Sequence, residues 1–111
     1  MKRYVKGRAF EYRVRDRLVE DGWFVVRAAG SKGVADLVAI KPSEYFPHNP
    51  EVALIQASVR KKPSREVKKL LDLCNKLNVT PVIVMRGRKI PLIWLWGEES
   101  ILENYKKLKK L

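Results

Sequence analysis

Apolar positions recur along this chain with two periods, and the switches between them outline its elements. From about Gly7 to Asp21, Phe10, Val14 and Leu18 recur every fourth residue, with Ala9 beside them. That spacing puts one apolar stripe on a helix. Arg8, Arg13, Arg15 and Arg17 fill its other faces, and Gly22 follows as a helix-ending residue. Two short β-branched runs come next, at about Trp23–Arg27 and Ala35–Ile40, and predict strands. Between them lies Gly30-Ser31-Lys32-Gly33, whose glycines free the backbone to present Ser31 and Lys32 to a partner. Pro42, Pro47 and Pro50 make Lys41 to Pro50 a loop. A third strand covers about Val52–Val59, where alternation sets Leu54, Gln56 and Ser58 on one face and Ala53, Ile55, Ala57 and Val59 on the other.

Pro63 precedes a second helix, with Ser64 as its expected cap. Val67, Leu70, Leu71, Cys74 and Leu77 form the helix stripe, so Cys74 reads as core rather than nucleophile, and Asn78 reads as a left-handed terminator. Val82–Met85 and Leu92–Trp96 are the fourth and fifth strands, separated by the basic turn Arg86-Gly87-Arg88-Lys89. A last helix from about Glu98 directs Ile101, Leu102, Tyr105 and Leu108 inward. The predicted order is α-β-β-β-α-β-β-α: an α/β chain with a mixed central sheet, and a length of 111 residues that suits one domain. The fifth strand sets Trp94 and Trp96 on one face and Ile93 and Leu95 on the other. That is more apolar surface than so small a chain obviously covers, unless the last helix covers it.

Charge narrows the partners. Lys and Arg number 24 against 12 Asp and Glu, a net charge of +12. Such an excess concentrates polyanions at the surface, and nucleic acid leads among them. Anionic membrane fits less well, because basic and apolar positions are not laid out as one long surface helix. No apolar run approaches the roughly 20 residues of a membrane span. The opening Met1-Lys2-Arg3-Tyr4-Val5-Lys6 has no apolar segment behind it of the secretory kind, so the protein is expected to be cytoplasmic. A single cysteine allows no intramolecular disulfide.

Polar residues interrupt the apolar segments at three places. Asp36 enters a strand otherwise made of Val, Ala, Leu and Ile, where an unpaired carboxylate is costly to bury. It is expected at a sheet edge facing a metal, a cation or water, or else closing a hairpin turn. Gln56 and Ser58 either satisfy each other and the backbone or line a site. Glu11 borders the first helix stripe, and its simplest reading is a solvated carboxylate paired with Arg15.

Two segments carry a resemblance. Lys6-Gly7-Arg8-Ala9-Phe10-Glu11 resembles the N-terminal Lys-Gly-x-x-x-Glu of the archaeal Holliday junction resolvases. Val25-Val26-Arg27-Ala28-Ala29-Gly30-Ser31-Lys32 is similar to that family's Val-Val-Arg-x-x-Gly-Ser-Lys segment, and Asp36 falls at its metal-binding Asp. The likeness implies the restriction-endonuclease-like, PD-(D/E)xK three-layer core and a metal-dependent, structure-selective DNA endonuclease. It implies Mg2+ or Mn2+ as cofactor, branched or four-way junction DNA as partner, and a homodimer. Glu11, Asp36 and Gln56 become the implied metal ligands and, with Ser58, the catalytic positions. Lys6, Arg8, Arg27, Ser31, Lys32, Arg60, Lys61 and Lys62 become the implied DNA contacts, with Arg27 also able to brace the site.

The third strand departs from the family pattern. Where the family has Glu-x-Lys, this chain has Gln56-Ala57-Ser58. A Gln carbonyl can still ligate a hard cation as a neutral oxygen. Ser58 cannot replace a positive charge; Lys61 or Lys62 could reach back to the site, though both lie past the strand. Two readings therefore stand: a junction endonuclease, and a DNA-binding protein on the same fold with weakened or lost cleavage.

Overall fold

The computed structural model describes residues 2–28, 34–45, 48–60 and 62–105, with side chains from residue 8 onward. Its elements follow the predicted order: α1 Lys2–Glu20, β1 Phe24–Arg27, β2 Leu37–Lys41, β3 Glu51–Ser58, α2 Ser64–Leu77, β4 Thr80–Met85, β5 Ile93–Trp96 and α3 Glu98–Asn104. The strands form one sheet in the order β1-β2-β3-β4-β5. β3 and β4 are parallel, and the other neighbouring pairs are antiparallel. A parallel pair needs a crossover, and α2 provides it.

Alternation on β3 divides the core in two. On one face Phe10, Val14 and Leu18 of α1 pack against Leu37, Ala39, Ala53, Ile55, Ala57, Val82 and Val84. The alanines there leave room for the larger helix side chains. On the other face Val67, Leu70 and Cys74 of α2, with Ile101 and Tyr105, pack against Leu54, Ile83 and Leu95. The result is a helix–sheet–helix sandwich.

Several local expectations are corrected. α1 starts at Lys2, so Gly7 lies inside it. A helical glycine costs about 0.5–1 kcal/mol, too little to stop a helix docked by its later turns. Ser64 is the first residue of α2 rather than its cap; Pro63 holds the cap position at φ −59° and ψ 152°, with no side-chain cap. Leu77 and Leu102 are exposed. On α3 and its C-terminal cap only Ile101 and Tyr105, four apart, share the buried side, and Leu102 is turned about 100° from Ile101. Leu108 lies outside the described residues. Asn78 does end α2 in the left-handed region, at φ 58° and ψ 46°.

The fifth strand uses its apolar surface within the chain. Trp94 packs against the α1-side core, and Leu95 is buried on the other side. Trp96 stacks on Trp23 and Trp94, with ring centroids 5.7 and 5.9 Å away. The open apolar face lies on β1 instead, where Phe24 and Val26 are 67% and 46% exposed. They pair with Ile40 and Val38, on the face where α2 packs over β3 and β4. Among the described residues, no helix is long and apolar enough to cross a membrane.

Candidate nuclease site at one end of the sheet

Strand directions gather the functional candidates at one end of the sheet. β3 and β4 run out side by side, Ser58 opposite Met85. β2 begins there, Leu37 opposite Ile55, and β1 ends there, Arg27 opposite Leu37. Asp36 sits one residue ahead of β2, and its backbone continues the ladder on both sides. Its carbonyl accepts the Ala28 N–H at 2.9 Å, and its own N–H donates to the Ile55 carbonyl at 2.8 Å. The side chain is thereby fixed at the mouth of the core.

Asp36 is buried, and its charge is compensated. Its Oδ2 accepts the backbone N–H of Ala57 at 2.8 Å and the ammonium of Lys62 at 3.1 Å. A buried carboxylate held by both a backbone donor and a cation avoids the penalty of an unpaired charge. Glu11 reaches the same region from α1, where its Oε1 accepts Arg27 Nε at 3.0 Å. The Arg15 pairing expected from helix spacing does not form; Arg15 pairs with Asp16 at 2.8 Å. Arg27 also lies over the Tyr12 ring, 5.4 Å from its centroid. Burial lifts the Glu11 pKa above 4.5, and the Asp36 charge adds to the rise, while Arg27 and Lys62 pull it down. The two carboxylates and the two cations therefore act on one another as one cluster.

Gln56 is buried and faces the α2 side. Its Nε2 donates to the carbonyls of Val34 at 2.9 Å and Glu66 at 3.0 Å. Both partners are acceptors, so the amide orientation is determined. The amide ties the segment entering β2 to the first turn of α2. Its Oε1 is buried without a hydrogen-bond partner. Ser58 does not join Gln56 or Asp36 through the described hydrogen bonds: its hydroxyl donates to the Arg60 carbonyl. Lys62, expected as a DNA contact or as a lysine reaching back to the site, has its ammonium on Asp36. Arg60 is exposed and Arg8 half-buried. Lys6 lies in α1 with its side chain outside the described set, and Ser31, Lys32 and Lys61 lie outside the described residues. Cys74 is buried, which pushes its thiol up to about 11 and rules it out as a nucleophile near neutral pH.

Lys62 is the residue whose place sequence reasoning left open, between a DNA contact and a lysine reaching back to the site. The one signal was its position before Pro63, which favours an extended backbone there. The partner it finds is 26 residues away, and no local pattern reports that.

The donor set bears on metal binding. Among the described residues no three His, Cys, Asp or Glu side chains gather into a metal-holding group. Glu11 and Asp36 supply two charged hard oxygens, and Gln56 Oε1 is a buried neutral one on the α2 side. Two carboxylates suit Mg2+, which keeps several waters and takes one or two carboxylates together with substrate phosphates.

A helix–sheet–helix core with paired carboxylates and cations at one sheet end is an α/β architecture with an ionic centre at the edge of its core. The fold is that of the Holliday junction resolvase of the archaeal hyperthermophile Archaeoglobus fulgidus, which is 20% identical and aligns with a TM-score of 0.59 over 83% of this chain and 71% of that one. The model of the archaeal Holliday junction resolvase (hjc) family matches residues 2–106, and the chain belongs to that family. No curated protein matches the chain with significance.

Proposed function

We propose that this chain is a metal-dependent, structure-selective endonuclease that hydrolyses phosphodiester bonds in four-way DNA junctions. The observation that carries this reading is the cluster of Glu11, Asp36, Arg27 and Lys62 at one sheet end, in a chain of resolvase family. A divalent cation, Mg2+ or Mn2+, would polarise the scissile phosphate and lower the pKa of the attacking water. Glu11 and Asp36 would hold that cation, and Gln56 Oε1 would be the neutral third oxygen. Arg27 orients the Glu11 carboxylate. Lys6, Arg8, Ser31, Lys32, Arg60 and Lys61 contact the DNA backbone. Ser58 shapes the turn after β3 through its bond to Arg60.

A second reading has its own support. Only two carboxylates serve the site, and fewer charged ligands mean weaker binding of a hard cation. On that reading the chain binds junctions and cleaves them poorly. Single-turnover cleavage of a labelled four-way junction with Mg2+ or Mn2+, set beside binding of the same junction in EDTA, separates the two. The endonuclease reading expects metal-dependent cuts that Asp36→Asn abolishes while binding persists. Tight binding with no cuts in either metal would establish the second reading.

We further read the chain as a single nuclease-like domain acting in the cytoplasm as a homodimer. Two strand cuts at one junction call for two sites, and a symmetric pair provides them. The exposed Phe24 and Val26 on β1 support that face as the interface. Sedimentation at micromolar concentration should show a dimer that Phe24→Asp splits. A monomeric wild type would overturn this.

A further inference from the structure

The lysine missing from β3 has a structural counterpart elsewhere in the chain. β3 ends at Ser58, and the chain then bends through Val59 and Arg60. The Ser58 hydroxyl closes that bend on the Arg60 carbonyl. Pro63 at the head of α2, with its carbonyl accepting the Glu66 N–H at 3.0 Å, fixes the far side. Between these points the Lys62 carbonyl accepts the hydroxyl of Tyr105, a buried residue just past α3. The Lys62 side chain then runs back to Asp36 Oδ2 at 3.1 Å, three-quarters shielded from solvent. Its charge also acts on Glu11. A lysine that merely met DNA phosphate from solution would need none of these anchors.

We propose that Lys62 supplies the cation of the carboxylate centre from outside the strand, and that Tyr105 is the positioning residue that holds it there. This rests on the endonuclease reading for its catalytic part. A positive group beside the carboxylates stabilises the charge that develops on the phosphate, and it works best when fixed beforehand. Ser58 and Lys62 thus divide the task of one strand lysine: the hydroxyl shapes the turn and the ammonium reaches the centre.

The experiment uses the full chain with Lys62→Ala, Tyr105→Phe and Ser58→Lys/Lys62→Ala. Expected for Lys62→Ala is a fall in single-turnover cleavage on the order of 10²–10³, with junction affinity and its salt slope in EDTA unchanged. Tyr105→Phe keeps the ring in the core and should lower the cleavage rate by up to roughly a hundredfold without changing junction affinity. Lysine restored on the strand should recover part of the Lys62→Ala loss. If Lys62→Ala instead weakens binding, lowers the salt slope by about one and leaves the rate intact, Lys62 is an ordinary phosphate contact and the proposal fails.

A second readout needs no cleavage. In metal-free buffer Lys62 should acetylate more slowly than the exposed Lys89, and both Asp36→Asn and Tyr105→Phe should speed it. If the wild type proves unable to cut, the endonuclease reading fails alone; slow acetylation of Lys62 would still place it at the carboxylates. Acetylation at the Lys89 rate would overturn the placement whether or not the protein cuts.

Discussion

Gln56 shows how a single position can look like a damaged motif and act as a structural brace. Its amide donates to two backbone carbonyls, of Val34 and Glu66. Gln56→Glu would remove both donors and set a carboxylate against two acceptors. We expect it to destabilise the fold by about 1–3 kcal/mol, read as a lower urea midpoint, and so to be a poor repair of the site. Stability equal to wild type would show that the carboxylate finds other donors. Glu11 gives a second residue-scale prediction. Its pKa is raised in the fold, first by burial and then by Asp36, against Arg27 and Lys62. The native state therefore holds the proton more tightly than the unfolded chain. Stability falls as pH rises from the ordinary carboxylate value through the raised native one, and is flat above it. In EDTA the stability of wild type relative to Glu11→Gln should drop across that window as pH goes from about 4 to about 8. A relative gain would mean that the cations outweigh burial.

Elements are placed here more by packing than by end signals. α1 runs through Gly7, and α2 starts without a side-chain cap, because each helix is docked along a buried stripe. The C-terminus of α2 is the exception. Asn78 adopts φ 58° and donates its N–H back to the last turn, so the helix can stop and β4 can turn back beside β3. Asn tolerates that conformation better than Ala and less well than Gly. Asn78→Ala should cost about 1 kcal/mol and Asn78→Gly should cost nothing or stabilise slightly, measured by chemical denaturation. Equal losses in both would point to a role for the Asn side chain instead.

At the scale of the molecule, the net charge of +12 acts with direction. Arg60, Arg65, Arg86, Arg88 and Lys89 are exposed, and Ser58, Ser64 and Met85 place their segments at the end of the sheet that holds Asp36. Glu98 and Glu99 follow the far end of β5, where Trp96 pairs with Val82 near the start of β4. Phosphate should therefore approach from the site end. If about six phosphates are neutralised, log affinity for a junction should fall against log salt with a slope near about −5. Replacing Arg86, Arg88 and Lys89 together by Ala should make that slope shallower by about two to three. Affinity indifferent to salt would exclude this electrostatic footprint.

The sequence alone determined the order of the elements, because each apolar stripe or alternation is a local pattern that one helix or strand expresses. It also determined which positions of α1 and of β3 share an apolar face, since Phe10, Val14, Leu18, Ala53, Ile55 and Ala57 carry that periodicity themselves. Glu11 and Asp36 stood out for the same reason: the short stretch around each carries the family resemblance. What the sequence left open was every pairing across distance. Glu11 had an adjacent helical partner in Arg15, and only the meeting of α1 with the end of β1 gave it Arg27. Leu102 and Leu77 carried the right spacing, but which side of a short helix is covered depends on what lies opposite. Trp94 and Trp96 looked like surplus until Trp23, on the far side of the chain's order, stacked against Trp96 and Trp94 packed into the α1-side core. Lys62 is the clearest case. Its charge was visible along the chain, but its neighbour Asp36 was set by the β2–β3 register, the turn after Ser58 and the Tyr105 anchor acting together. Local periodicity encodes which residues are buried; the placement of one charge against another is decided only when distant backbones are brought into register.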